Sequence, residues 1–421
     1  MSLASSLKAA LRSPLLPYWL VVALLPFGRS AELGTLLCAI GTLLLFVRQP
    51  HALQEHAGAR LLLWLLGAYT LAAACSALDS IVPGKSWGTA AALLRYAPLG
   101  LYACFALRRD AKLQAFYLAL AGVLAVWVLD AWVQALTGWG LRGQAEAERI
   151  SGIFGATDLK LGPSLAVLSP FALWTARRYY GRAGLIGAAL LLLGPVLLAG
   201  ARSAWLCYAL VLLAFIWNEA SHWRRFALWC ALGLAIVGAA GALAWHDSAR
   251  FQTRLQRTLL AFDGSPAALN QALTGRLDIW QVSARMIEGH PLNGVGVRGF
   301  RYAYPQYASA EDHFIRAEPC GPGEGACHAH QLLLEILTET GVIGLLCWLA
   351  GLVLALRAWR RVGAAARARA FPVSVALGVM LFPLNTHLAF YSAWWGLLFG
   401  WLLGLWCAAL YVQAAEDGDG S

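Results

Sequence analysis

AGLIGAALLLLGPVLLAGARSAWLCYALVLLAFIWN, residues 183–218, is almost wholly apolar and far too long for one membrane crossing. A helix rising ~1.5 Å per residue needs only ~20 residues to traverse ~30 Å of hydrocarbon. The chain must therefore turn within the run, at Gly200-Ala201-Arg202-Ser203, where polar side chains interrupt it. That turn sets Arg202 at the outer membrane boundary with almost no loop around it. Two readings stay open for it: an arginine snorkelling to the interface, or a guanidinium at headgroup level, where it suits phosphate.

The same arithmetic extends outward along the chain. Of 421 residues, 60% are hydrophobic and 13% charged, a balance that belongs to membrane proteins rather than soluble domains. Stretches of spanning length fall near 14–28, 31–47, 60–78, 89–107, 113–136, 161–177, 183–200, 202–218, 225–245, 329–356, 371–390 and 392–413. The reading is an all-α polytopic membrane protein with twelve transmembrane helices. Lys and Arg accumulate in cytoplasmic loops, which tests the count. With the N-terminus inside, the inner connections hold Lys8 and Arg12; Arg48 and Arg60; Arg108, Arg109 and Lys112; Arg177, Arg178 and Arg182; Arg224 and Arg225; and Arg357, Arg360, Arg361, Arg367 and Arg369. The opposite short loops hold far fewer, so an N-in, C-in topology is predicted. Lys8 and Arg12 before an apolar run imitate a signal peptide. Without a small-residue cleavage site, the segment reads as a signal anchor. The net charge of +10 mostly reflects these anchors and gives no argument for nucleic-acid binding.

Three parts follow: helices one to nine over 1–245, a large outer loop over 246–328, and helices ten to twelve over 329–421. In the loop, Ser248 to Leu260 places Arg250, Arg254 and Arg257 on one helical face beside Phe251, Leu255 and Leu259. This predicts a helix lying on the membrane surface, as an anchor or as a stripe for anionic headgroups. A second helix is predicted from Thr274 to Glu288, then a turn-rich segment from His290 to Phe300. Smaller outer loops carry Lys85 and Arg142. Cys320 and Cys327 predict a disulfide if the loop faces an oxidising compartment. A zinc site with His328 and His330 competes, although the spacing leaves no room for a usual zinc loop. The other cysteines read as small apolar residues in or beside spans, and Glu416 to Ser421 as a short acidic tail.

The residues with most chemistry lie in CHAHQLLLEILTETGVIG, residues 327–344. At ~100° per residue, Gly341 and Gly344 return to nearly the angle of His330. One helical stripe would then carry an ionisable ring at the water edge and small residues below, where a neighbouring helix approaches. Such an imidazole can take a proton near neutral pH; the plainer alternative is a capping histidine. His328 is a second candidate base. Arg276 lies in the first turn of the Thr274–Glu288 helix, where its charge opposes the dipole unless an anion or Asp278 balances it. Together these residues suggest one reaction. Arg202 and Arg276 hold a diphosphate on a lipid carrier, while His330 takes a proton from an incoming hydroxyl. Charge neutralisation by arginine then replaces a metal. No carboxylate cluster of the kind that holds magnesium stands beside them, so neither metal nor cofactor is expected. Lys85 and Arg142 are secondary candidates for the same anion, with interface anchoring as their alternative.

In this order, the segments resemble the O-antigen ligase and polymerase superfamily of bacterial envelope glycosyltransferases. His330-Gln331, nine residues, Gly341, two residues and Gly344 look like the ligase pattern of His, then Asn, Ser or Gln, then nine residues before Gly-x-x-Gly. Here Gln331 stands where Asn is commoner. Gly200-Ala201-Arg202-Ser203 resembles the family's external-turn arginine, and Thr274-Gly275-Arg276 its loop arginine. His290-Pro291-Leu292-Asn293-Gly294-Val295-Gly296 is similar to its Pro-Leu-x-Gly-x-Gly segment, and Ser151 to Pro170 resembles the approach to the sixth span. The motifs cover roughly 150–345 and the topology covers the whole chain.

The resemblance implies a metal-independent, inverting transfer of O-antigen from undecaprenyl diphosphate to a sugar hydroxyl of lipid A-core. It places that reaction at the periplasmic face of the inner membrane and makes 246–328 a periplasmic loop. It also implies three partners: the undecaprenyl-diphosphate-linked O-antigen, lipid A-core and membrane lipids. O-antigen polymerases and protein O-oligosaccharyltransferases share the donor chemistry, but the His-Gln form and modest loop size favour the ligase. A secondary transporter is the alternative of another class. Transporters put ionisable groups at mid-membrane, whereas here charges gather at one face, Arg95 excepted if it lies inside span four.

Overall fold

The computed structural model describes residues 13–412, except 146–148, 156–158, 221, 248–251, 253–255, 257, 258, 316–319 and 321–325. The described chain is mostly helix. It runs through α1 (Leu16–Ala23), α2 (Ala31–Arg48), α3 (Ala57–Ala77), α4 (Pro83–Leu93), α5 (Tyr96–Ala106), α6 (Asp110–Thr137), α7 (Leu161–Leu198), α8 (Arg202–Glu219) and α9 (Trp223–Asp247). The large loop adds α10 (Pro266–Ala272), α11 (Arg276–Gly289) and α12 (Phe300–Tyr307) before α13 (Leu332–Arg361), α14 (Ala364–Met380) and α15 (Ala393–Leu410). Among the described residues, six helices are long and apolar enough to cross a membrane: Gly28–Arg48, Ala57–Ala77, Asp110–Thr137, Leu161–Leu198, Leu332–Arg361 and Ala393–Leu410. The remaining apolar segments form further helices, among them α8 with 18 residues and α9 with 25.

The breaks are informative. The segment expected as a fourth span divides at Leu94-Arg95 into α4 and α5. Arg95 therefore sits at an interruption, 3.2 Å from Glu32 at the start of α2. It is not inside an unbroken span, which removes the feature that favoured a transporter. The sixth and seventh segments join as α7, interrupted at Gly181 (φ 66°, ψ −155°), a conformation nearly exclusive to glycine. Arg177 and Arg182 flank this break and both reach Glu219 at the end of α8, at 2.7 and 3.2 Å. At Gly200 (φ 75°) the chain turns as the apolar length requires, and Arg202 opens α8.

Trp395 to Leu410 of α15 are buried without exception. A helix apolar on every face belongs at the centre of a bundle. Lipid offers little hydrophobic drive between helices, so close backbone approach and interhelical hydrogen bonds must hold them. Both occur here. A Cβ on Gly404 would lie 2.5 Å from the Cα of Gly100 on α5. The Tyr18 hydroxyl donates to the Trp401 carbonyl, and the Trp401 indole donates back to the Tyr18 carbonyl at 2.9 Å. Between α3, α13, α14 and α15 lies an apolar cavity of about 380 Å³, bounded by Tyr69, Gly344, Gly378, Tyr391 and Trp406.

The large loop has its own small core, in which Ile279, Val282 and Met286 of α11 pack with Val295, Phe300, Tyr304 and Ala329. α11 matches the expected second helix. Cys320 and Cys327 form a disulfide, which withdraws both thiolates from the alternative zinc arrangement. The Arg250, Arg254 and Arg257 stripe lies outside the described residues.

One expectation fails. His330 and the two glycines do not share a stripe, because His330 precedes the helix with φ 53° and α13 is broken at Gly341 (φ 62°, ψ −162°). The element that enters there is not a helix but the turn segment from Pro291 to Val295. The Val342 and Ile343 N–H groups donate to the Pro291 and Leu292 carbonyls at 2.9 and 3.0 Å, and Val295 N–H donates to the Thr338 carbonyl at 2.8 Å. A Cβ at Gly341 would stand 2.2 Å from the Leu292 oxygen, and one at Gly294 2.5 Å from the Glu339 carbonyl carbon. Gly341→Ala is thus expected to lower the thermal unfolding midpoint in detergent, the backbone conformation alone costing about 1–3 kcal/mol. Gly378→Ala, inside α14 and with nothing within 4 Å of the added Cβ, should hold it level or raise it. Equal midpoints for both variants would refute this account of the break.

Candidate active site

The residues just before α13 are held by one hydrogen bond inside their own turn and by two other elements. The His330 N–H donates to Nδ1 of His328 at 3.1 Å. The Ala329 carbonyl accepts from the Trp280 indole of α11 at 3.1 Å. His330 Nδ1 lies 2.9 Å from the Thr386 carbonyl in the α14–α15 connection. Gln331 then caps α13, its Oε1 accepting from Leu334 N–H at 2.6 Å, so the cap is Gln331 and neither histidine. A carbonyl can only accept, so His330 Nδ1 carries the proton and Nε2 keeps a free lone pair. The reverse holds for His328: its Nδ1 accepts from a backbone N–H, so in the neutral ring Nε2 bears the proton. The rings are 3.9 Å apart between centroids. Of these two rings, His330 is the one whose basic nitrogen takes no part in the turn's own hydrogen bonds.

Arg276 opens α11 behind Gly275 (φ 78°), one helical turn before Trp280 and on the same face. The bond from Trp280 to Ala329 therefore brings Arg276 to the histidine turn. Burial and the nearby charge of Arg202 pull the Arg276 pKa down to about 10. Burial, with a smaller push from Arg276 against the opposing hydrogen bond to Thr386, brings His330 down to about 4. His387 also falls to about 4, through burial and then Arg276, His330 and Arg149. Arg202, Arg276 and Arg149 thus share one neighbourhood with His330 and His387. Asp278, the expected counter-charge, accepts from the Asn270 amide at 2.7 Å instead, and among the described residues no carboxylate forms an ion pair with Arg276. A desolvated guanidinium such as that of Arg276, with another positive charge nearby, is costly unless an anion joins it. The arrangement is suited to a phosphate ester.

Behind the turn lie two carboxylates overlooked in the sequence. Glu335 and Glu339, one helical turn apart on α13, are both fully buried. Glu335 Oε2 is 3.8 Å from His328 Nδ1, and Glu339 Oε2 accepts from Arg298 N–H at 2.8 Å. Their spacing inside an apolar helix was the available signal. His387 and Thr386 were also missed. Pro383 and Asn385 end the helical run there, so α14 stops at Met380 and 381–392 is largely non-helical rather than part of a span reaching 390.

The secondary candidates fare differently. Arg142 Nη1 donates to the Pro26 carbonyl at 2.8 Å and the Phe154 carbonyl at 3.2 Å, contacts that anchor a loop. Lys85 is exposed on α4 beside Ser86, whose hydroxyl donates to the Val297 carbonyl at 2.9 Å. Among the described residues neither is joined to His330 or Arg276 by a hydrogen bond or ion pair.

Fold and site together define a multi-pass helical membrane protein with a cationic, imidazole-bearing site where its helices end. Residues 187–349 match the family model described as O-antigen ligase, and the match supports the chain's membership of the O-antigen ligase/polymerase superfamily. The family implies a glycosyltransferase-like enzyme in a membrane setting. No curated protein matches the chain. An anion site of this kind is expected to bind inorganic diphosphate. Saturation near 100 Kd should stabilise the protein by about 2.7 kcal/mol, read as a thermal shift, and Arg276→Ala should abolish the shift. A wild-type protein indifferent to diphosphate would count against the site.

Proposed function

We propose that this protein is an O-antigen ligase, transferring O-antigen polysaccharide from undecaprenyl diphosphate to a sugar hydroxyl of lipid A-core. The observation that carries the reading is the free Nε2 of His330, held beside Arg276 by the Trp280–Ala329 clamp. In the proposed step the acceptor hydroxyl gives its proton to Nε2 as its oxygen bonds to the anomeric carbon. The bond from that carbon to the diphosphate oxygen breaks on the opposite face, inverting the configuration. Arg276 and Arg202 take up the charge that develops on the leaving diphosphate. No metal enters this scheme. The apolar cavity between α3 and α13–α15 offers the carrier's hydrocarbon chain a route along the bundle.

The same reading carries the topology: twelve spans, N-in and C-in, with 246–328 in the periplasm, so that site and lipid headgroups meet at the outer leaflet of the inner membrane. An Arg250, Arg254 and Arg257 stripe would face anionic headgroups or acceptor phosphates there. Lys85 and Arg142 remain outlying donor-side candidates. Cysteine labelling tests the topology: Ser265→Cys should react with a periplasmic probe and Ala364→Cys should not. Periplasmic labelling of Ala364→Cys would overturn it.

Purified protein incubated with lipid-diphosphate glycan and lipid A-core should enlarge the lipid A-core band, with or without EDTA. Growth of the carrier-linked glycan alone would indicate a polymerase, and transfer to protein an oligosaccharyltransferase. His330→Ala should lower turnover about 10²–10⁴-fold, and Arg276→Lys should impair donor use because lysine loses the bidentate fork. The pH dependence has a definite sign. A base works when neutral, and the pKa of His330 lies below the ordinary value, so kcat/KM should stay level from neutral pH downward. It should fall only as pH approaches about 4. An acidic limb centred near the ordinary histidine value would contradict the assignment.

A further inference from the structure

We propose that His328 is a positioning residue: its ring accepts the backbone N–H two residues on, as an asparagine does in an Asx turn, and so fixes His330 in its working conformation. The inference rests on reading His330 as the base. The geometry is that of a side-chain acceptor closing a turn onto residue i+2, the role usual for Asn and Asp, here filled by Nδ1 at 3.1 Å. The turn it closes is strained, since His330 adopts φ 53°, a left-handed conformation uncommon outside glycine, although histidine joins Asn and Asp among the side chains that take it more often. Strain of this kind persists where surroundings over-determine the backbone. Here the surroundings are the His328 ring, the indole on the Ala329 carbonyl and the Thr386 carbonyl on the His330 ring.

The alternative, that His328 itself takes the hydroxyl's proton, meets a chemical obstacle. One ring nitrogen accepts the turn's hydrogen bond and the other carries the proton of the neutral ring, so neither lone pair is open. Protonating Nδ1 would sacrifice the bond that shapes the turn. Burial and the positive or potentially positive neighbours His330, Arg298, His387 and Arg301 hold the His328 pKa well below the ordinary histidine value. Glu335, whose Oε2 stands 3.8 Å from the nitrogen already engaged, pulls the other way.

Asparagine separates the two roles, because it can close an Asx turn but cannot serve as a base. The experiment compares wild type, His328→Asn, His328→Leu and His330→Ala in the transfer assay, with folding followed by size exclusion and thermal midpoint. His328→Leu should lose kcat about 10²-fold, the scale of a misplaced catalytic group, with KM little changed. His328→Asn should keep kcat within about tenfold of wild type and preserve the pH profile. Loss of activity in a folded His328→Asn variant comparable to that of His330→Ala would overturn the proposal, as would wild-type kcat in His328→Leu. If the leucine variant does not fold, the asparagine variant decides alone, and its own failure to fold also counts against the Asx role. Wild-type activity in His330→Ala is a distinct outcome: it removes the base assignment on which the inference rests.

Discussion

The docking of the turn segment after Pro291 into the break of α13 organises everything around it. A helix interrupted at Gly341 exposes N–H groups that lipid cannot satisfy, and such groups are tolerated only when protein supplies acceptors. Pro291 and Leu292 supply them, and Val295 completes the exchange by donating to Thr338. Because these bonds run from backbone to backbone, they place the segment to within hydrogen-bond tolerance regardless of side chains. α11 ends just before the segment and α12 begins just after it, so the large loop inherits its position on the bundle from this crossing. A second layer reinforces it: Ile81 N–H donates to the Val295 carbonyl at 3.1 Å, and Val297 N–H to the Ser76 hydroxyl at 3.1 Å.

Charge is distributed around that crossing in two tiers. Arg276 and Arg149 act on His387 and Arg202 acts on Arg276, whereas Glu335 and Glu339 have Arg298 and Arg301 for neighbours. Buried carboxylates near the mouth of an apolar helix are expensive unless hydrogen-bonded or opposed by positive charge. Arg298 meets both needs at Glu339, offering its backbone N–H as well as its guanidinium charge. The histidine turn is thus set between a cationic side suited to anions and an acidic layer that Arg298 compensates in part, Glu335 Oε2 and Glu339 Oε1 having no hydrogen-bond partner among the described residues.

How much of this is legible in a string of residues depends on which physical quantity is being read. The turn before Arg202 follows from length alone, because no tertiary contact can make 183–218 cross a bilayer once. The division at Gly181 follows the same rule. The stripe through His330, Gly341 and Gly344 rested on angular arithmetic, which presumes an unbroken helix. Gly341, one of the two glycines that suggested a close helix contact, is the residue that breaks it. Thr386 and His387 were hidden because a hydropathy window carries an apolar tally past Pro383. Glu335 and Glu339 stood in plain view, four apart, but carried no role until Arg298 was seen to reach them from a distant segment. Choosing between the two histidines was beyond sequence altogether, since it turns on which nitrogen faces a carbonyl and which an N–H.

The neighbouring Arg202 and Arg276 have a kinetic consequence under the proposed chemistry. Two guanidinium groups that disfavour one another recognise charge rather than sugar, so they hold the spent carrier diphosphate as readily as the glycan-bearing one. The leaving group gains negative charge when the glycosidic bond breaks, which tightens that hold at the moment the reaction is over. Turnover would then be governed by how quickly the emptied carrier is surrendered to the membrane, and by competition between fresh and spent carrier for one site.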